Sequence, residues 1–372
     1  MHPITLPFSS ANESDALDAL LTPIDKNRFQ GAIRRLHSMF SLYACTSSEP
    51  LPAPGLIVTP EIRVQCERYL PIATVAATFN RLYSAALTYS PVLSSTPFFN
   101  MLSWADAFAI LPAQFQISSD PAQLLESLLA DQPLLIRFLF TSFLPERFYG
   151  RTGRYPEQQI FIREWSASRR TATIRCLDTA CGTGENTYGL ALLLSEQGFL
   201  PENVRIEGWT LDPLEVWAAT YRRIPYDRRR EELLRESTGT LFHRGYGSRI
   251  SFHCRDISAP SSAGNSPVQA DFDLIVCNGL LGGPIIHEKE QMKRVVAYLC
   301  QLVAPGGVLL ADNNFHGGWK QKCPQKDLRS LFEQSGLDFF EVGEGVGGIK
   351  PGPPVIQATQ PVMTSFHCGC NG

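Results

Sequence analysis

In the segment Arg175-Cys176-Leu177-Asp178-Thr179-Ala180-Cys181-Gly182-Thr183-Gly184-Glu185-Asn186-Thr187, an apolar run ends in an acid, passes two glycines and enters a helix start. Gly182 and Gly184 carry no Cβ, so the backbone there can turn sharply and approach a ligand closely. The chemistry such a turn serves is binding of a nucleotide-type cofactor. A dinucleotide fits it poorly. Thr187 stands where that pattern wants a third glycine, and Glu185 brings negative charge into the first helical turn, where a pyrophosphate would sit. A carboxylate there suits a ligand with an ammonium group and no phosphate, as in S-adenosylmethionine (SAM).

Further polar groups follow later apolar runs. Asp212 comes after Arg205 to Leu211 and can accept hydrogen bonds from vicinal ribose hydroxyls; Pro213 behind it makes it a helix N-cap as well, and the two roles are compatible. In Arg255-Asp256-Ile257 a carboxylate stands where an adenine amino group could donate to it, with turn or cap duty as the alternative. Cys277-Asn278-Gly279-Leu280-Leu281-Gly282-Gly283-Pro284 is rich in small residues and is expected to line a methyl-transfer site. Asn278 offers donor and acceptor atoms, while Gly282 and Gly283 would leave room for a substrate. Asp312-Asn313-Asn314-Phe315-His316 adds polar groups at the same rim, with His316 a candidate base and a solvated loop histidine as the alternative. The expected cofactor contacts are therefore Asp178, Ala180, Gly182, Gly184, Glu185, Asp212, Asp256, Ile257, Asn278, Gly279 and Leu280.

The elements that must position these residues follow from periodicity. From about Ile174 the chain alternates strand and helix, with apolar runs at Ile174 to Thr179, Arg205 to Leu211, Ile250 to Cys254, Phe272 to Cys277 and Gly307 to Asp312. Helical spacing lies between them at Glu185 to Leu194, Leu214 to Tyr221, Glu290 to Leu302 and Lys326 to Gln334. Such spacing predicts βαβ units, a mainly parallel doubly wound sheet, and ligands beyond the carboxyl ends of its strands. Leu337 to Val342 and Val355 to Ser365 are expected as a final antiparallel pair joined by the glycine-rich stretch Gly343 to Gly352, which brings the total to seven strands. Residues 1–145 lack this alternation. Arg28 to Tyr43 and Leu124 to Phe140, the latter with Pro133 inside or near a boundary, predict a helical N-terminal region, and residues 146–372 form the α/β domain.

Composition narrows the partners. The 372 residues are 44% hydrophobic and carry a net charge of −3, so no global attraction to nucleic acid or anionic membrane is expected. Arg222, Arg223, Arg228, Arg229 and Arg230 are interleaved with Asp227, Glu231, Glu232 and Glu236, the pattern of a solvated helix laced with ion pairs. Of ten cysteines, Cys176, Cys254 and Cys277 fall in apolar runs and read as buried thiols. Cys368-Gly369-Cys370 reads as a tail, because no second cysteine pair lies near it, and no metal is expected. Neither a signal peptide nor an apolar run approaching about 18 residues is visible, which predicts a cytosolic protein.

The segment from about Arg147 to His316 resembles the SAM-dependent methyltransferases of the chemotaxis-receptor (CheR) type. Four stretches carry the resemblance. Ala180 to Glu185 is similar to the family's small-residue turn ending in Thr-Gly-Glu, and Leu211-Asp212 to its ribose acid. Ala219 to Tyr226 followed by Leu241-Phe242-His243-Arg244-Gly245 is similar to a helix leading into a Phe-x-Arg-Gly element. Phe272 to Asn278 is similar to the family's Phe-Asp-x-Ile-x-Cys-Arg-Asn. The resemblance implies a seven-stranded SAM-methyltransferase sheet, Glu185 facing the SAM amino group, and Arg151 reaching cofactor or substrate. It covers under half of the chain and departs after the fourth strand, where Asn278 lacks the preceding arginine and Leu280-Leu281-Gly282-Gly283 replaces Leu-Ile-Tyr-Phe. The expected function is methyl transfer to a carboxylate or other oxygen or nitrogen nucleophile of a protein or small molecule, with Arg151, Asn278 and His316 as candidate catalytic residues. A SAM-binding regulatory or interaction protein without transfer activity is the alternative.

Overall fold

The computed structural model describes residues 12–144, 155–169, 173–258, 271–283, 286–312, 324–343 and 345–352. Its N-terminal part is built from α1 (Glu13–Asp18), α2 (Gln30–Thr46), α3 (Pro60–Tyr69), α4 (Ile72–Ala86), α5 (Trp104–Ile110), α6 (Pro121–Ala130) and α7 (Gln132–Phe143). Several of these helices begin at a polar residue followed by proline. Asp120 accepts the Ala122 N–H at 2.8 Å and Asp131 accepts the Leu134 N–H at 3.0 Å, while Pro121 and Pro133 sit where no intrahelical donor is needed. The stretch Leu124 to Phe140 is thus divided into α6 and α7, and Pro133 marks the boundary between them.

Helix α8 (Pro156–Ala167) precedes seven strands: β1 (Ile174–Asp178), β2 (Val204–Thr210), β3 (Ile250–Cys254), β4 (Phe272–Val276), β5 (Val303–Asp312), β6 (Asp338–Val342) and β7 (Gly345–Ile349). Between them run α9 (Glu185–Glu196) after β1, α10 (Pro213–Tyr221) and α11 (Arg228–His243) after β2, α12 (Lys289–Leu302) after β4, and α13 (Gln325–Gln334) after β5. The strand order is β3-β2-β1-β4-β5-β7-β6. Strands β1 to β5 are parallel, and β7 runs antiparallel to both β5 and β6. This is a doubly wound, Rossmann-like sheet. Successive side chains serve opposite faces: Cys176, Ile206, Leu274 and Val308 join one core, and Leu177, Trp209, Ile275 and Leu309 join the other.

The last strand pair differs from the sequence expectation. The glycine-rich stretch is not the connection but strand β7 itself, and Val355 to Ser365 lies outside the described residues. The cause is a ring. A Cβ on Gly347 would stand 2.2 Å from Cζ of Phe340 on β6, so the aromatic side chain occupies the space that any larger residue would need. Phe340 in turn stacks on Phe161 of α8 at 4.8 Å between centroids.

Helix α10 serves two cores at once. Its Val216 and Ala219 face the sheet core, whereas Leu214, Trp217 and Ala218 belong to the core of the N-terminal helices. Trp217 donates from Nε1 to the Glu13 carbonyl at 3.0 Å and packs on Phe140 at 5.2 Å between ring centroids. Among the described residues, no helix is long and apolar enough to cross a membrane.

Candidate functional site

The strand order reverses its direction of winding between β1 and β4, so a ligand crevice belongs beyond the carboxyl ends of these strands. Asp178 closes β1, in register with Gly208 of β2 and Val276 of β4. Asp212 lies two residues beyond β2 and Asn278 two beyond β4, so three expected site residues meet at one rim. Beside Asn278 a shallow cleft is bounded by Tyr155 and Gln158 of the α8 start and by Glu185, Asn186 and Leu190 of α9; Asp178 and Asp212 do not line it.

Asp178 holds the glycine turn together from within. Buried to 1% exposure, it accepts from the Ala180 N–H at 3.3 Å, the Asn186 amide at 3.2 Å and the Thr187 hydroxyl at 2.8 Å. Burial pushes its carboxyl above the usual range, and these donors oppose the shift. Cys181 donates its N–H to the Trp209 carbonyl, which ties the turn to β2. Gly182 (φ +51°) and Gly184 (φ +88°) both occupy left-handed backbone. At Gly184 a Cβ would also meet Phe252 at 3.0 Å and Ala219 at 3.1 Å, so glycine is required for conformation and for space. The missing third glycine is explained as well: the Thr187 hydroxyl is one of the donors that fix Asp178.

Glu185 opens α9, but its carboxylate is already engaged. Arg230 of α11 grips Oε1 through Nε at 2.8 Å and through Nη2, and the Thr183 hydroxyl donates to Oε2. Both side chains of the ion pair are largely buried. The arginine-rich helix is therefore not a uniformly solvated face. Arg228 does pair with Glu232 on the surface, but Arg230 reaches into the site and Arg222 lies 3.6 Å from the Phe242 ring centroid. Sequence reasoning missed Arg230, because nothing in a run of three arginines marks which one points inward.

Asp212 combines the cap role with burial. Its Oδ1 accepts the Leu214 N–H at 2.9 Å and the Tyr89 hydroxyl at 2.7 Å. Burial pushes its carboxyl up to about 6, against the pull of these two hydrogen bonds. Among the described residues, no donor to Oδ2 is present. Tyr89 comes from the N-terminal region, a contribution that spacing along the chain could not reveal.

The remaining expectations divide. Asp256 is exposed and uses Oδ1 to accept from the Ser258 N–H at 2.8 Å and hydroxyl at 2.7 Å, the turn alternative. Ile257 turns its side chain into the core beside Trp209. Asn278 is buried and forms a reciprocal amide pair with Gln158 of α8, at 2.9 Å and 3.1 Å. Gly279 takes φ +73° and Leu280 packs against the α12 side of the sheet. Gly282 and Gly283 lie in the turn that follows β4. Both are buried, the Gly282 N–H donates to the Ile286 carbonyl at 2.8 Å, and Leu281 bridges Ile286. With φ +78°, Gly282 serves a tight backbone reversal. Arg151, Pro284, His316 and Cys368-Gly369-Cys370 lie outside the described residues.

No protein-family model matches the sequence. Over 180 residues, 45% of this chain, it is 26% identical to the probable biofilm formation methyltransferase WspC of Pseudomonas putida, and it spans 40% of the length of that relative. Similar solved structures include the magnesium protoporphyrin IX methyltransferase of Synechocystis with bound SAM, at 15% identity over 59% of this chain and 97% of that one, TM-score 0.37. The N-methyltransferase NodS of Bradyrhizobium japonicum with S-adenosyl-l-homocysteine (SAH) matches at 19% identity over 62% of this chain and 97% of that one, TM-score 0.35.

Proposed function

We infer that the chain is a SAM-dependent methyltransferase. The observation that carries the reading is the juxtaposition, on adjacent strands of a doubly wound sheet, of the Asp178 to Glu185 turn with the buried carboxylate Asp212. The turn offers a glycine backbone and an acid, Glu185, held in place by Arg230. Asp212 offers a free acceptor oxygen where a ribose would lie. The methyltransferase WspC, 26% identical over 45% of the chain, supports the same reading.

These residues fit SAM in part. Asp212 would hold the ribose through Oδ2, and Glu185 would take the ammonium beside Arg230, whose guanidinium suits the carboxylate of the same amino-acid end. Asp256 is committed to its turn through Oδ1, which leaves adenine selection to the backbone around Ile257. When bound, SAM supplies an electrophilic methyl group. The protein's part is to position the acceptor in line and exclude water. A carboxylate acceptor needs no base at neutral pH, whereas a hydroxyl or amine would use one such as His316. In this reading Arg151 and Asn278 stand on the acceptor side, and residues 1–145 cover the cofactor end of the domain formed by residues 146–372.

The reading is tested by calorimetric titration with SAM, SAH and NAD. Binding of SAM and SAH without NAD is expected; NAD binding without SAM would overturn it. A screen with labelled SAM, comparing protein and metabolite fractions, identifies the acceptor. The alternative, SAM binding without transfer, is supported by the engagement of the Asn278 amide by Gln158. SAH binding with no labelled product in any fraction would establish it.

A further inference from the structure

Tyr89 belongs to the N-terminal helical region, far in sequence from the glycine turn, yet its hydroxyl meets the buried acid of the site. Resting on the SAM reading above, we propose that Tyr89 is a positioning residue of the cofactor site, filling Oδ1 of Asp212 so that Oδ2 is the oxygen presented to the ribose hydroxyls.

The distribution of donors carries the argument. A carboxylate has about four lone-pair sites over its two oxygens. Both donors that the protein supplies, the Tyr89 hydroxyl at 2.7 Å and the Leu214 N–H at 2.9 Å, fall on Oδ1. That oxygen is saturated, and none of the described residues donates to Oδ2. A group serving only as an N-cap needs the Leu214 contact alone. The additional tyrosine fixes the carboxylate through a second bond to the same oxygen.

The segment bearing Tyr89 is itself anchored. Leu87 bridges Leu21, the Thr22 N–H donates to the Ala86 carbonyl at 2.8 Å, and the Thr88 N–H donates to the Leu20 carbonyl at 3.0 Å. Tyr89 is thus presented from a fixed backbone.

Electrostatics gives the hydroxyl a second role. The titratable groups around this spot are Asp212 and Glu215 from the start of α10, Cys254 from the end of β3, Asp256 just beyond it, and Tyr89 itself. Burial and the neighbouring Asp212 carboxylate raise the Tyr89 phenol well above its ordinary value, so it remains a donor at every working pH. Its hydrogen bond is one of two that pull the Asp212 carboxyl down toward ionisation, and a ribose hydroxyl needs the ionised acceptor.

The test is Tyr89→Phe in the full chain, which keeps the ring, with SAH titrated calorimetrically between about pH 5.5 and 8.5. Binding is expected to weaken about tenfold at pH 7, and the pH at which binding is half lost is expected to move upward, because Asp212 ionises less readily without the hydroxyl. A purely structural staple would not move that midpoint. Asp212→Ala, which leaves Tyr89 no acceptor, provides the second arm: in that background Tyr89→Phe should have no further effect on SAH affinity. Unchanged or tighter SAH binding by Tyr89→Phe, with an unmoved midpoint, would overturn the proposal and make Tyr89 a staple or a plug. Absence of SAM and SAH binding by the unsubstituted chain would instead overturn the methyltransferase reading, and this inference with it.

Discussion

At the scale of the residue, this site is defined by carboxylates whose neighbours decide their use. Asp212 is held near a value of about 6 by burial, against an ordinary value of 3.8. The folded chain then binds that proton more tightly than the unfolded chain, so stability from this group is fullest below about pH 4 and falls as the pH rises toward about 6. Asp212→Asn keeps an oxygen for Tyr89 and Leu214 and removes the buried charge. It is expected to raise stability at pH 7 by about 1–3 kcal/mol and flatten the stability profile between about pH 4 and 6, while weakening SAH binding; denaturant titration at several pH values checks the first part and calorimetry the second. Glu185 and Arg230 present the opposite case, a largely buried pair whose members depend on each other. Arg230→Gln is expected to cost about 1–3 kcal/mol by leaving the carboxylate under-satisfied. A double-mutant cycle with Glu185→Gln should return a coupling of at least about 0.5 kcal/mol, and additive effects would show that the two act independently.

At the scale of the element, two glycines in regular structure make contrasting predictions. Gly347 lies in β7 under the Phe340 ring, with no room for a side chain, and Gly347→Ala is expected to destabilise by about 1–3 kcal/mol through overpacking. Gly239 lies inside α11, and a Cβ there would meet nothing within 4 Å. Gly239→Ala should therefore stabilise by roughly 0.5–1 kcal/mol, the helix-propensity gain. Thermal melts of the two variants read both signs at once; a Gly347→Ala that does not destabilise would refute the packing described for β7, and a destabilising Gly239→Ala would refute the open space described on α11. Gly282 belongs with the first kind. Its positive φ and burial predict that a bulky replacement impairs folding before it reports on any acceptor.

At the scale of the whole molecule, α10 joins the helical region to the sheet by giving one side to each core. Trp217, 2% exposed, is the largest residue at that junction. Trp217→Ala is expected to cost about 3–5 kcal/mol. Because both cores share the helix, unfolding of the unsubstituted chain followed by far-ultraviolet circular dichroism and by tryptophan fluorescence should give coincident transitions. Two separated transitions would show that the helical region and the sheet fold independently of α10.

The sequence by itself determined what local spacing encodes. Alternating apolar runs yielded five parallel strands and their helices, Pro213 after Asp212 marked a helix start, and Gly182 and Gly184 marked the turn, because periodicity, capping and positive φ are properties of neighbouring residues. The seventh strand was misassigned, since glycines read as connection until Phe340 on the adjacent strand is seen to fill the space above Gly347. Other features depended on which distant residues meet. Tyr89 on Asp212, Arg230 on Glu185 and Gln158 on Asn278 join positions 123, 45 and 120 residues apart. Such pairs leave no mark in local pattern, because their partners are chosen by the packing of α10, α11 and α8 around the sheet. Tertiary structure alone decided that Asp212 keeps Oδ2 for a ligand while both oxygens of Glu185 and of Asp178 are taken by the protein.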